Sequence, residues 1–128
     1  MTRMTQIIPL EHDEQKSLFQ WAEIHASILP ELASMYAIPN GGHRHIAVAR
    51  KLKAEGVKAG VLDVNLDVAR GGYHGLRIEM KRLKGGGLSP DQREWIKRHK
   101  ANGYRAEMCR GWGAATVVIM EYLRGANA

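Results

Sequence analysis

Apolar positions recur at helical spacing near the start of the chain. Between residues 11 and 29 they include Leu18, Trp21, Ala22 and Leu29, which predicts a helix over 11–29. We expect Pro30 to end it, because proline lacks the N–H that a helix interior needs. Helices are also predicted over 46–54, 90–101 and 114–123. The helix over 90–101 has a strong start signal, with serine at the N-cap and proline at the first helical position.

Two apolar runs, residues 61–69 and 76–80, flank a Gly71-Gly72 turn and predict a β-hairpin. Shorter strands are predicted at 35–38, before a Pro-Asn-Gly-Gly turn, and at 104–109, where the residues alternate. The order of elements predicts one α/β domain with a small mixed sheet between helices. We expect residues 1–10 to form an N-terminal arm and residues 11–124 the domain.

The second strand of the hairpin carries charged side chains on a single face. Because side chains alternate along a strand, Glu79 and Lys81 lie on one face and Met80 on the buried face. Asp63, near the start of the first strand, is expected to lie across from Glu79 or Lys81. Alone, this pattern is more typical of a surface salt-bridge ladder across a hairpin.

Composition favours a basic globular domain. Of the 128 residues, 45% are hydrophobic and 25% charged, as in ordinary globular proteins. The net charge of +6 and the pI near 9.7 favour a polyanionic partner, nucleic acid before an anionic membrane. The single cysteine, Cys109, excludes an internal disulfide and a cysteine-rich zinc site. No apolar run approaches the ~20 residues of a membrane span, and we expect a cytoplasmic protein.

Five blocks of sequence, in order, resemble the VRR-NUC (virus-type replication-repair nuclease) family of the PD-(D/E)xK nuclease superfamily. The blocks are Glu11-x-x-x-Gln15, Ile38-Pro39-Asn40-Gly41-Gly42, residues 56–63, Ile78-Glu79-Met80-Lys81 and Ser89-Pro90-Asp91-Gln92. The resemblance covers roughly residues 11–123 and is nearest to standalone phage and bacterial members. It implies a restriction-endonuclease-like fold with an αβββαβ core. Leu62 stands where the superfamily pattern has proline, a position without side-chain chemistry.

The resemblance implies a metal site. Asp63 and Glu79 would be the metal-binding carboxylates, helped by the backbone carbonyl of Met80 and by Glu11 from the first helix. A few carboxylate and carbonyl oxygens are the ligands that Mg²⁺ prefers, so the implied cofactor is Mg²⁺ or Mn²⁺. For Glu11 a second interpretation stays open, because acidic residues such as Glu11 and Glu14 are also favoured by the helix dipole at an N-terminus.

Two further residues would act beside the metal. Lys81 would be the motif lysine, which orients or deprotonates the attacking water or neutralises the developing oxyanion. The resemblance leaves the protonation state of Lys81, and with it the choice among these roles, open. Gln92 would be the glutamine of the helix next to the site, although a first-turn glutamine also commonly faces solvent.

Several basic and polar residues are candidates for contact with DNA. We expect Arg44 and Lys58 to bind phosphate, since the chain is basic and a nuclease site is nearby. Asn40 would approach DNA from its glycine-rich turn, and Arg82 and Lys84 would follow the backbone. A plain turn and an ordinary solvated face are the alternative interpretations. The histidines form no helical pair and have no cysteine partner, which disfavours a zinc site.

The function that follows is a Mg²⁺- or Mn²⁺-dependent DNA endonuclease. Its expected substrate is branched DNA such as a Holliday junction, and symmetric cleavage of a junction predicts a C2 homodimer. A structure-tolerant nuclease acting on flaps or single strands is the alternative within enzymes. A non-catalytic basic DNA-binding subunit, with the carboxylates in structural salt bridges, is the alternative outside them.

Overall fold

A four-stranded mixed sheet lies at the centre of the domain. The computed structural model describes residues 7–39 and 45–125. The strands are β1 (Met35–Ala37), β2 (Val64–Leu66), β3 (Leu76–Lys81) and β4 (Arg105–Arg110), in the spatial order β1-β2-β3-β4. The helices are α1 (Glu11–His25), α2 (Ile46–Ala54), α3 (Pro90–Ala101) and α4 (Trp112–Arg124), and a short 3₁₀ helix (Pro30–Ser34) precedes β1.

The strand pairing follows from the connections. The strand pairs β1–β2 and β2–β3 are antiparallel, and Val64 lies opposite Ile78. Strand β4 is parallel to β3, with Glu79 opposite Met108. Parallel neighbours need a crossover, which α3 supplies. This mixed sheet between helices is the α/β fold that the sequence predicts, with α2 inserted between the first two strands.

The apolar core lies between the sheet and the pair α1 and α4. Ile78 and Met80 of β3 are fully buried there against Leu18 of α1 and Ile119 of α4. Removing such a side chain from water contributes about 1.5–3 kcal/mol. The alternate residues of β3 face α3, so Glu79 is buried as well, with 1% of its surface exposed. The salt-bridge ladder on an open surface is therefore the wrong interpretation of this face.

Helix α1 is shorter than predicted. It ends at His25, whose carbonyl accepts hydrogen bonds from the N–H groups of both Ile28 and Leu29. Leu29 has φ −121° and ψ 82°, outside the helical region. The cause is Pro30, because a residue before proline is sterically disfavoured in the α conformation. The helical spacing of apolar residues in the sequence therefore extends to Leu29, although the helix itself ends at His25.

The first strand of the hairpin is also shorter than predicted, three residues in place of the run 61–69. Its partner β1 has three residues to pair with. Beyond β2, the Asp67 carboxylate accepts hydrogen bonds from Tyr36 (2.7 Å) and Arg77 (2.9 Å), which draw the chain out of the ladder. The Gly71-Gly72 turn is present, with φ values of 57° and 86° that suit glycine.

The other helices are close to their predicted positions. The bounds of α2 and α3 agree with the prediction, β4 is shifted by one residue, and α4 starts at Trp112 and ends at Arg124. Within the residues that the structure describes, no helix is long and apolar enough to cross a membrane.

Candidate metal centre

Asp63 is held against β3, the second strand of the hairpin. It lies one residue before β2, where Val64 pairs with Ile78. Its Oδ2 accepts a hydrogen bond of 2.9 Å from the N–H of Met80. The register of the hairpin therefore places the Asp63 carboxylate next to Glu79, as the sequence predicts.

Three carboxyl groups converge at this point. Glu11, Asp63 and Glu79 each offer an oxygen, and these oxygens lie within 4.8 Å of one another. Glu11 and Asp63 are half-buried, and Glu79 is buried. Glu14, the neighbouring acidic residue on α1, has a different place: its Oε1 accepts the N–H of Trp112 at 3.1 Å and so caps α4. Of the two, Glu11 is the one that joins the cluster.

Gln92 is fixed in orientation by a capping box at the start of α3. The Ser89 hydroxyl accepts the N–H of Gln92 at 3.1 Å, and the Gln92 Oε1 accepts the N–H of Ser89 at 2.9 Å. With its oxygen engaged, the amide turns its Nε2 to Glu79 Oε2, at 3.1 Å. Gln92 thus contacts the cluster. The Ser-x-x-Gln spacing is a sequence signal that predicts this cap.

Lys81 supplies positive charge at the same place. Its Nζ lies 3.7 Å from Glu79 Oε2, and the residue is 8% exposed. Met80, between them on β3, has its side chain in the core, so its backbone is the part that faces the cluster through the Asp63 hydrogen bond. The Met80 carbonyl stays a predicted metal ligand.

The electrostatics of the cluster are unbalanced. The pKa of Glu79 is raised to about 9, first by burial and then by the hydrogen bond and charge of Asp63, against the lowering effect of Lys81. The pKa of Glu11 is also raised, first by burial and then by Asp63, against the lowering effect of Lys81. Glu79 Oε1 is buried and has no hydrogen-bond partner among residues 7–39 and 45–125. An uncompensated carboxyl oxygen of this kind is costly unless something positive binds to it.

The donor set fits a hard divalent cation. All three side chains offer carboxylate oxygen, which Mg²⁺ and Mn²⁺ prefer to nitrogen or sulfur ligands. The orphaned Glu79 oxygen and the raised pKa values of Glu11 and Glu79 are the features that a cation would relieve. The residues present therefore fit the metal that the sequence implies.

The predicted DNA contacts fall into three groups. Lys58 and Lys84 are exposed and free to meet a phosphate backbone. Arg82 is half-buried, and its guanidinium donates to the carbonyl of Ile8 at 3.2 Å, which ties the N-terminal segment to the end of β3. Asn40 and Arg44 lie outside the described residues.

Sequence reasoning missed a clamp on the loop after β3. The Arg110 guanidinium donates to the carbonyls of Arg82 (3.0 Å), Gly85 (2.9 Å) and Gly86 (2.7 Å). These contacts hold the connection between β3, which carries Glu79 and Lys81, and α3, which carries Gln92. Consecutive glycines such as Gly85 and Gly86 indicate a loop, but the contact with Arg110 spans more than 20 residues and has no local signal.

Comparison with known proteins agrees with this geometry. The model of the VRR-NUC domain family matches residues 5–112. A solved structure titled "VRR_NUC domain protein" is 28% identical, with a TM-score of 0.75 over 92% of this chain and 91% of that chain. A search of curated proteins found no match. The chain belongs to the VRR-NUC family, and it is a nuclease domain of the type that processes DNA.

Proposed function

We propose that the protein is a Mg²⁺- or Mn²⁺-dependent endonuclease that hydrolyses phosphodiester bonds in structured DNA. The observation that supports this most strongly is the convergence of Glu11, Asp63 and Glu79 within 4.8 Å, beside Lys81. In a structural ion-pair network the charges are balanced, whereas here a buried Glu79 oxygen has no hydrogen-bond partner within the described part of the chain.

The roles of the residues follow from their positions. Asp63, Glu79, Glu11 and the Met80 carbonyl would hold the cation. When bound, a hard divalent cation supplies a nucleophilic hydroxide at neutral pH and stabilises charge on the phosphoryl oxygens. Lys81, 3.7 Å from Glu79, orients the attacking water or neutralises negative charge that develops on the phosphate.

Gln92 would have a supporting role in the same site. It donates to Glu79 Oε2 at 3.1 Å and so restricts the rotation of that carboxylate. Residues that hold a metal ligand in orientation are needed for geometry rather than for chemistry.

We further propose that the substrate is branched DNA of the Holliday-junction type and that the active form is a homodimer. The net charge of +6 suits binding of several phosphates. Two symmetric cuts in one junction need two active sites, which a C2 dimer provides. The exposed Lys58 and Lys84 are the proposed phosphate contacts, with Asn40, Arg44 and Arg82 as further candidates. The proposed location of this DNA cleavage is the cytoplasm of a bacterial or phage-infected cell.

The test is cleavage of four labelled substrates, namely a four-way junction, a duplex, a flap and a single strand, in Mg²⁺, Mn²⁺ or chelator. Asp63→Ala and Lys81→Ala should be inactive while their circular dichroism is unchanged. Glu107→Gln, a carboxylate on the neighbouring strand, is the matched control and should cut normally.

The outcomes separate the candidate functions. Paired symmetric nicks in the junction support both the metal site and the dimer. Equal cutting of all four substrates keeps the nuclease and removes the junction preference. Binding without metal-dependent cutting of any substrate would contradict the proposal and favour a basic DNA-binding subunit.

A further inference from the structure

Gly60 lies directly against the first turn of α3. Its φ of +80° is in the left-handed region that favours glycine. A Cβ at this position would lie 2.5 Å from the Cβ of Asp91 and 2.8 Å from the backbone N of Gln92. Both distances are far shorter than an ordinary van der Waals contact, so a Cβ does not fit at this position. Glycine is therefore what allows the segment before β2 to approach α3 this closely.

A second contact joins the same two segments one turn further along. The indole Nε1 of Trp95 donates to the carbonyl of Ala59 at 3.0 Å. Asp91 and Trp95 are four residues apart and so lie on one face of α3. Consecutive residues, Ala59 and Gly60, thus hold the helix at two points, which sets both its distance and its rotation relative to the segment.

These contacts close a ring around the carboxylate cluster. Gly60 precedes Asp63 by three residues, and Asp63 is bonded to the Met80 N–H of β3 at 2.9 Å. Glu79, next to Met80, accepts from Gln92 at 3.1 Å, and Gln92 lies against Gly60. A change in the Gly60 contact must therefore alter the separation of Gln92 and Glu79.

We propose that Gly60 is a positioning residue for this site: its close contact with the Asp91–Gln92 peptide sets the hydrogen bond from Gln92 to Glu79. The effect on cleavage rests on the proposed function, whereas the effect on the hydrogen bond does not. Because Lys58 lies two residues earlier on the same segment, the ring also connects a candidate phosphate contact to the carboxylates.

The first test is Gly60→Ala in the full chain, with junction cleavage in Mg²⁺. Relief of the Cβ contact displaces the start of α3 by about 1 Å, and a displacement of that size costs roughly 10- to 100-fold in kcat. We expect KM to change by less than about threefold, since the substrate contacts remain.

Gly56→Ala is the matched control. Gly56 lies on the same connection with a φ of +101°, but no atom of the residues that the structure describes lies within 4 Å of a Cβ there. The Gly56→Ala variant therefore introduces the same kind of backbone strain without a close contact of the new Cβ. Its kcat should equal that of the wild type. An equal loss of kcat in both variants would overturn the proposal, because strain alone would then explain it.

A double variant tests the route of the effect. In a Gln92→Ala background the hydrogen bond to Glu79 is already absent, so Gly60→Ala should lower kcat by less than about threefold more. If the loss of kcat in the double variant equals the product of the losses in the two single variants, Gly60 acts independently of Gln92. That result would contradict the proposal.

A readout independent of cleavage separates a failure of the positioning role of Gly60 from a failure of the proposed nuclease function. In ¹⁵N-labelled metal-free protein, the side-chain amide signal of Gln92, assigned by its loss in Gln92→Ala, should shift in Gly60→Ala and not in Gly56→Ala. If the wild type cuts no DNA, the proposed function fails and this signal still decides the positioning role.

If Gly60→Ala does not fold, Trp95→Phe takes its place. Phenylalanine keeps an aromatic side chain at this position but cannot donate to the Ala59 carbonyl. The Gln92 signal should therefore shift in the same direction as in Gly60→Ala, but by less. An unchanged Gln92 signal would overturn the proposal.

Discussion

Two ionic clusters lie on the neighbouring strands β3 and β4, and they differ in how their charges are satisfied. On β4, Arg105 lies between Glu107 and Glu121, with N–O distances of 3.2–3.4 Å. Its acidic partners are half-exposed or exposed, and water completes their solvation. On β3, Glu79 is buried beside Lys81 at 3.7 Å and keeps an oxygen without a partner in the described chain.

The difference separates a structural network from the proposed metal site. The β4 cluster shares one arginine between two solvent-accessible glutamates, and exposed pairs of this type contribute about 0–1 kcal/mol. The β3 cluster joins three carboxyl groups to Lys81, and burial makes ionisation of Glu79 costly, which raises its pKa. Ionic residues on a strand thus indicate a metal site when burial and imbalance occur together. The following predictions test that contrast.

The largest effect is expected from removing a charge of the β3 cluster. Asp63→Asn should lower metal-dependent cleavage by roughly 10³-fold or more, because it removes a proposed ligand. Glu107→Gln should change the rate by less than about twofold, as is usual for surface substitutions. Steady-state cleavage of one labelled substrate measures both. Equal losses in the two variants would contradict the contrast.

Replacing the lysine should separate metal binding from catalysis. Lys81→Met should lower kcat by about 10²-fold, because it removes a group that acts on the attacking water or the oxyanion. Mn²⁺ should nevertheless bind more tightly, since a positive charge 3.7 Å from Glu79 is gone. Titration calorimetry with Mn²⁺ and a cleavage assay test this pair of opposite changes. Weaker Mn²⁺ binding would identify Lys81 as a support of the ligands instead.

The stability of the metal-free protein should depend on pH through Glu79. Its pKa is raised from 4.5 to about 9 in the folded state, so the folded protein holds a proton that the unfolded chain releases. The resulting stability is complete below about pH 4.5 and is lost as the pH rises toward 9.

Thermal unfolding in chelator at pH 5 and pH 8.5 measures this dependence. The fall in Tm between the two pH values should be smaller in Glu79→Gln, which cannot ionise, and unchanged in Glu107→Gln. The same fall in wild type and Glu79→Gln would exclude Glu79 as its source.

The smallest effect is expected in the β4 cluster. Glu121→Gln removes one partner of Arg105 and should lower the free energy of unfolding by about 0.5 kcal/mol. The difference should shrink in 1 M salt, since the pair is exposed and screened. Urea unfolding at low and high salt measures it. A loss several times larger would place this cluster in the same class as the one on β3.

The sequence predicts the parts of this site that depend on local pattern. The proximity of Asp63, Glu79 and Lys81 follows from the alternation of a strand and the register of a hairpin, whereas their roles are implied by the family resemblance. The start of α3 follows from Ser89 and Pro90. The resemblance to the VRR-NUC family singles out the same residues, and the family is confirmed.

What the sequence does not predict depends on packing between distant segments. The burial of Glu79 requires α3 to cover that face of β3, which no period in the strand reveals. The hydrogen bond from Trp95 to Ala59 spans 36 residues, and the Arg110 clamp on the loop after β3 is similarly remote. The shortening of β2 also reflects its partner, because β1 has three residues to pair with.

The most direct measurement of the central claim is Mn²⁺ binding to the full-length protein at pH 7, by calorimetry in two buffers of different ionisation enthalpy. With the pKa of Glu79 near 9, that carboxyl group is protonated at pH 7, and a cation must displace the proton. We predict binding with release of about one proton per ion, lost in Glu79→Gln and kept in Glu107→Gln. Absence of Mn²⁺ binding, or equal proton release in both variants, would contradict the assignment of this cluster as the metal site.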